Sequence, residues 1–219
     1  MRHIRPYLIF NLLQSPAIDR IANVKIPNRR DIRLLETLLL VTVIRVLNAK
    51  RIFEFGTFFG STTLNLALNS PPDAEILTLD LSREDANGLE QDVADAPLTQ
   101  MHFDRAAMDY QGIPASSKIT ELTGNSKIFN FSPFKDSIDL VFIDGGHDYE
   151  TVQSDTQNSF HMLHKDRPAC IFWHDYQNPD CSGNTYFLEE LSKSHALFHV
   201  EDTMLCGWFN HFVTPSYQP

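Results

Sequence analysis

An α/β fold, with a mostly parallel sheet covered by helices on both faces and an antiparallel hairpin at one edge, is predicted by three observations. Five short β-rich runs alternate with helical stretches between residues 51 and 176, the order that builds parallel sheets. The first run, RIFEFG, ends in glycine and passes directly into the helical stretch STTLNLALN. After the fifth run, HALFHVED and MLCGWFNHF lie close together, as the two arms of a hairpin do.

Taken in order, the chain opens with MRHIRPYLIFNLL, a basic end and a short apolar run that contains Asn11 and is followed by Asp19 and Arg20. No small-residue cleavage site follows it, so an N-terminal helix or arm is expected. From Arg29 to Asn48, Ile32, Leu35, Leu38, Leu39, Val43, Val46 and Leu47 recur at helical spacing, with Asn28 placed to cap the start. RIFEFG is the first strand of the series, and STTLNLALN is a helix that stops before Pro71 and Pro72. EILTLDL, TELTG, SIDLVFIDG and PACIFWHDY follow as strands. A long, mostly polar and irregular segment at 82–118 exceeds what one crossover helix needs and reads as an insertion, of the kind that forms a lid or a substrate wall. One domain over 1–219 is expected, with a helical extension at 1–49 and a core at 50–212.

Composition narrows the partners. A formal charge of −10 disfavours a nucleic-acid backbone, which calls for a basic surface. Three scattered cysteines, Cys170, Cys181 and Cys206, with no CxxC pair, suit a reducing cytosol and neither a disulfide framework nor structural zinc. LETLLLVTVIRVL is cut by Thr42 and Arg45, so no membrane span is expected.

The strongest chemical signal is E-F-G-T-F-F-G-S-T, Glu54 to Thr62, at the turn from strand to helix. Gly56 and Gly60 let backbone approach a ligand, and Thr57, Ser61 and Thr62 lie beside them where free helix N–H groups meet polar ligand atoms. Three residues separate the glycines and no third follows, unlike the dinucleotide fingerprint GxGxxG, so a cofactor without a pyrophosphate is favoured over NAD. Asp80 ends the second strand of the series, where an acid can accept from both hydroxyls of a ribose.

This combination resembles the class I S-adenosylmethionine methyltransferases, whose fold is Rossmann-like and doubly wound, over about residues 51–209. DLVFIDGGHDYETVQSD followed by IFWHDY is similar to the small-molecule group that includes sugar and macrolide O-methyltransferases. The resemblance implies that Glu54, Gly56 and Gly60 line the methionine end of S-adenosylmethionine and that Asp80 holds its ribose. It also implies that Gly124, Asn125 and Ser126 hold the adenine.

Asp144 and Asp175 each end a strand, at the carboxyl edge where open α/β folds place ligands. Two such carboxylates suit a divalent cation such as Mg2+ or Mn2+, and similar metal-dependent O-methyltransferases carry acids at these two places. His174 and Tyr176 flank Asp175 where related enzymes often supply another oxygen. A nitrogen from His174 or His147 would favour manganese, iron or zinc; equally, Asp144 and Asp175 could hydrogen-bond the cofactor amine or the substrate with no metal. His147, after two glycines, is the candidate general base. His161 and His164 are placed in the following helix, and His102 is given no role. Phe58 and Phe59 read as a hydrophobic wall around the sulfonium.

The expected function is methyl transfer to a small-molecule hydroxyl. The alternatives are a metal-independent N- or C-methyltransferase, a non-catalytic cofactor-binding module, and a nicotinamide oxidoreductase that the glycine spacing disfavours. A homo-oligomer is left open, through an N-terminal arm reaching a neighbour.

Overall fold

The computed structural model describes residues 1–9, 24–26, 32–88, 95–104 and 106–211. Among these, eight strands form one sheet in the order β1-β7-β8-β6-β5-β2-β3-β4. They are β1 (Arg2–Ile4), β2 (Arg51–Phe55), β3 (Glu75–Asp80), β4 (Ile119–Thr123), β5 (Leu140–Ile143), β6 (Cys170–Trp173), β7 (Phe198–Val200) and β8 (Cys206–Phe209). The helices are α1 (Leu34–Leu47), α2 (Ser61–Asn69), α3 (Arg83–Asn87), α4 (Asp95–Asp104), α5 (Tyr149–Met162) and α6 (Ser182–Leu191).

The five strands β2 to β6 pair in parallel, and β8 runs antiparallel to both β6 and β7. The expected fold class is therefore found, hairpin included. Along β2, Ile52 enters one apolar cluster with Leu40 and Ile44 of α1 and Leu66 of α2, whereas Phe53 and Phe55 enter another with Val152 of α5 and Leu188 of α6. That alternation, repeated in β5 and β6, buries both faces of the sheet.

Four local expectations are corrected. The first residues form a strand, not a helix: β1 pairs in parallel with β7 of its own chain and continues the sheet beyond the hairpin. In α1, Arg33 precedes the first turn and its N–H donates to Glu36 Oε2 at 2.6 Å; Asn28, the expected cap, lies outside the described residues. Leu35 is exposed while Glu36 is fully buried, because an almost unbroken apolar run from Leu38 to Ile44 hides the helical stripe and polar partners draw Glu36 inward. The described residues of the 82–118 segment include α3, α4 and a 3-10 helix at Pro114–Lys118, and His164 lies past the end of α5.

The chain leaves β2 for β3 and β4 on one side and returns to β5 on the other. The crevice at such a reversal is where this architecture binds ligands, and Gly56 follows β2 there as Asp144 follows β5.

Candidate active site

Gly56 adopts φ +88°, and a β-carbon on it would stand 2.2 Å from the Asp144 carbonyl oxygen. The glycine thus joins the two loops at the reversal. Gly60, at φ +81°, leads into α2, and its missing β-carbon leaves room for the Tyr110 ring. Between them Thr57 N and Phe58 N donate to Asp80 Oδ2 at 2.9 and 3.0 Å. Asp80 therefore braces the glycine loop as well as facing an open cleft of about 290 Å3 lined by Thr57, Asp80, Arg83, His102, Phe103 and Thr123.

Behind the loop, Glu54 is fully buried and its Oε2 accepts from Thr63 and Thr78. Its Oε1 is buried without a hydrogen-bond partner, as is Ser61 Oγ. Desolvation, reinforced by the nearby Asp144 and Asp80 charges, pushes the Glu54 carboxyl up to about 8 against the donated hydrogen bonds. Thr62 starts α2 half-buried. Gly124, Asn125 and Ser126 form the turn after β4, next to Thr123 of the cleft, with the Ser126 side chain on the buried Asp155. The Phe58 and Phe59 rings, both half-buried, meet edge to face at 4.4 Å between centroids.

On the other side of Gly56 lies a chain of carboxylates and imidazoles. His174 Nδ1 stands 3.1 Å from both Asp144 Oδ1 and Asp175 Oδ2, and its Nε2 is 3.3 Å from Glu36 Oε2. His147 Nε2 is 2.9 Å from the same Asp175 oxygen, and its Nδ1 meets Asp95. Burial opposes charge on both imidazoles, but the surrounding carboxylates win and hold each well above the usual histidine range. Burial likewise opposes ionisation of Asp175, and the two histidines overcome it, keeping that carboxyl low. Asp144 goes the other way, because desolvation outweighs its contact with His174. Asp175 itself sits at φ +58°, a conformation that costs energy in a non-glycine residue and is common at functional sites.

Asp144, His174 and Asp175 each place a ligand atom within 4.8 Å of the others. This is a mixed nitrogen and oxygen set suited to a divalent cation. The two expected metal acids are thus brought together, with a histidine between them.

Residues 53–176, more than half of the chain, match the family model described as a methyltransferase domain. The chain belongs to that family. No curated protein matches it in sequence. In structure the methyltransferase is similar to a caffeoyl-CoA O-methyltransferase assignment from Staphylococcus aureus, at 16% identity and TM-score 0.59 over 85% of each chain. It is also similar to an O-methyltransferase from Bacillus cereus solved with SAH, at 14% identity and TM-score 0.54 over 83% of each chain. A third is an O-methyltransferase assignment from Klebsiella pneumoniae, at 18% identity and TM-score 0.55 over 84% of each. The fold is thus shared with these structures, and by its family the chain is a methyltransferase. Among the described residues, no helix is long and apolar enough to cross a membrane.

Asp95, His102, Glu36 and Cys181 of the methyltransferase were not singled out by sequence. Asp95 and His102 are seven residues apart, two turns along one face of α4. At one end Asp95 grips His147, and at the other His102 Nδ1 lies 2.9 Å from Phe58 O and 3.3 Å from Asp80 Oδ2. Helix α4 thereby spans both halves of the site. For Glu36, the available signal was an acid inside an otherwise apolar helix.

Glu54 supplies a pH prediction. With its folded pKa raised to about 8 from 4.5, its neutral form contributes stability that is present below about pH 4.5 and lost as pH rises through 8. Thermal melts of the ligand-free enzyme should show Glu54→Gln gaining on wild type steadily between pH 5 and about 8.5; parallel curves would refute the assignment.

Proposed function

We propose that this methyltransferase methylates a hydroxyl of a small molecule carrying two adjacent oxygens, with a divalent cation held by Asp144, His174 and Asp175. The observation that carries the reading is the convergence of these three side chains beside the glycine loop. The likeness of GGHDY and WHDY to sugar and macrolide O-methyltransferases supports a sugar-type diol, and the caffeoyl-CoA relative supports a catechol. Both present adjacent oxygens.

The donor set of S-adenosylmethionine finds matching features. An ammonium group would supply the partner that buried Glu54 Oε1 lacks, and Asp80, beside the cleft, suits a ribose diol. Gly124, Asn125 and Ser126, which follow Thr123 of the cleft lining, would hold the adenine, and the amides after Gly60 suit the carboxylate. S-adenosylmethionine supplies a methyl group already activated on a sulfonium, so the protein's task is alignment and exclusion of water. The bound cation would increase the acidity of an acceptor hydroxyl. Phe58 and Phe59, packed edge to face beside the glycine loop, would wall the sulfonium. Asp95 fixes His147 through Nδ1, and a cation drawing Asp175 away from Nε2 would free that nitrogen to take the hydroxyl proton.

One observation favours a second reading. His174 as imidazolium already bridges Asp144 and Asp175, and with His147 on the far side of Asp175 it compensates the two carboxylates without metal, as an N- or C-methyltransferase would allow. Methyl transfer to catechols and sugar diols, assayed by product mass after chelation and again after addition of Mn2+ or Mg2+, separates the two. Activity should fall at least tenfold with chelator and return with Mn2+. Undiminished transfer in chelator would favour the metal-free reading.

A further inference from the structure

Beside the Asp144 cluster, a second and chemically different donor set shares only Asp175 with it. His147, Asp175 and Cys181 are all buried, and their ligand atoms lie within 4.8 Å of one another. We propose that these three residues form a binding subsite for a thiophilic divalent cation such as zinc, distinct from the harder position at Asp144 and His174. The inference rests on the cation-assisted reading only through the shared Asp175.

Four features of the chain build this subsite. Asp95 bonds both the Nδ1 and the backbone N of His147, the carboxylate–histidine arrangement that orients Nε2 toward a metal. Asn178 Nδ2 donates to Asp175 Oδ1 at 2.7 Å, so Oδ2, which also faces His174 Nδ1 at 3.1 Å, is the oxygen turned toward the imidazoles. That Oδ2 now stands 2.9 Å from His147 Nε2, so a cation would replace the proton between them. Finally, a β-carbon on Gly183 would stand 2.6 Å from Tyr149 N and 2.8 Å from His147 O. Glycine there lets the first turn of α6 close on the His147 loop, and this brings Cys181, the residue before α6, beside the imidazole.

One nitrogen, one oxygen and one sulfur favour zinc or cobalt over magnesium, which prefers oxygen alone. Three protein ligands also leave a fourth tetrahedral position open. With a cation at this subsite His147 would be a ligand and not a base, so its two roles exclude one another. Cys170 and Cys206 lie fully buried in β6 and β8, outside both donor sets found among the described residues.

Titration of the full-length protein with Co2+ tests the proposal by absorption. Wild type should develop the intense near-ultraviolet sulfur-to-cobalt charge-transfer band; Cys181→Ser should lack it and bind Co2+ at least tenfold more weakly, and Asp144→Asn should keep it. X-ray absorption of the zinc-loaded wild type should show one sulfur at about 2.3 Å, a readout that needs no variant to fold. Cobalt binding without the band, a band that survives in Cys181→Ser, or a zinc shell without sulfur would overturn the proposal. If Mn2+ still restores methyl transfer in that case, the cation-assisted reading stands without this one. Failure of wild type to bind either Co2+ or Mn2+ would overturn both.

Discussion

Replacing Asp175 with alanine is expected to lower the melting temperature by roughly 6–20 °C and to remove divalent-cation binding. Its carboxylate faces two imidazoles, His147 at 2.9 Å and His174 at 3.1 Å, all three buried. Removing one partner of a buried ion pair costs about 3–5 kcal/mol, and a chain of this size loses about 2–4 °C per kcal/mol. The same side chain is common to both candidate donor sets, so Mn2+ and Zn2+ affinities should fall together. Calorimetry and thermal melts read the two effects. A variant with unchanged melting temperature and Mn2+ affinity would show that Asp175 is not the hub of the cluster.

Gly56→Ala should be the most damaging single methyl addition in the glycine loop. The added carbon would meet the Asp144 backbone, which cannot swing aside as a side chain can, and it would carry a left-handed φ of +88°. Strain of about 1–3 kcal/mol from the backbone and a similar amount from overpacking are both expected. Gly145→Ala is the matched control, since its β-carbon would have no neighbour nearer than 3.6 Å. Denaturant unfolding should show a loss of at least 2 kcal/mol for the first, by those magnitudes, and a clearly smaller loss for the second. Equal losses would contradict the close loop contact.

The inner parallel strands were legible because they are compact, largely apolar runs bounded by turns, whereas the polar edge strand β4 was marked mainly by its closing glycine, and the glycine loop was legible because it sits between a strand and a helix. Asp144 and Asp175 could be paired from sequence since strand ends in one sheet share an edge. Glu36 could not be placed with them: its partners His174 and Met204 are 138 and 168 residues away along the chain. Asp95 and His102 were hidden in a polar helix whose apolar residues mark no face. Strand β1 was read as an arm or helix because three residues beside a proline carry no alternation long enough to recognise, and its pairing with β7 is a contact across nearly the whole chain.

Binding of S-adenosylhomocysteine, measured by calorimetry on wild type and Asp80→Ala, tests the central claim most directly. Asp80 both lines the cleft and accepts two backbone amides of the loop, and a hydrogen bond to a charged group contributes about 1.5–3 kcal/mol. Wild type should bind in the micromolar range and the variant at least roughly tenfold more weakly. No binding by a folded wild-type sample, with or without Mn2+, would contradict it.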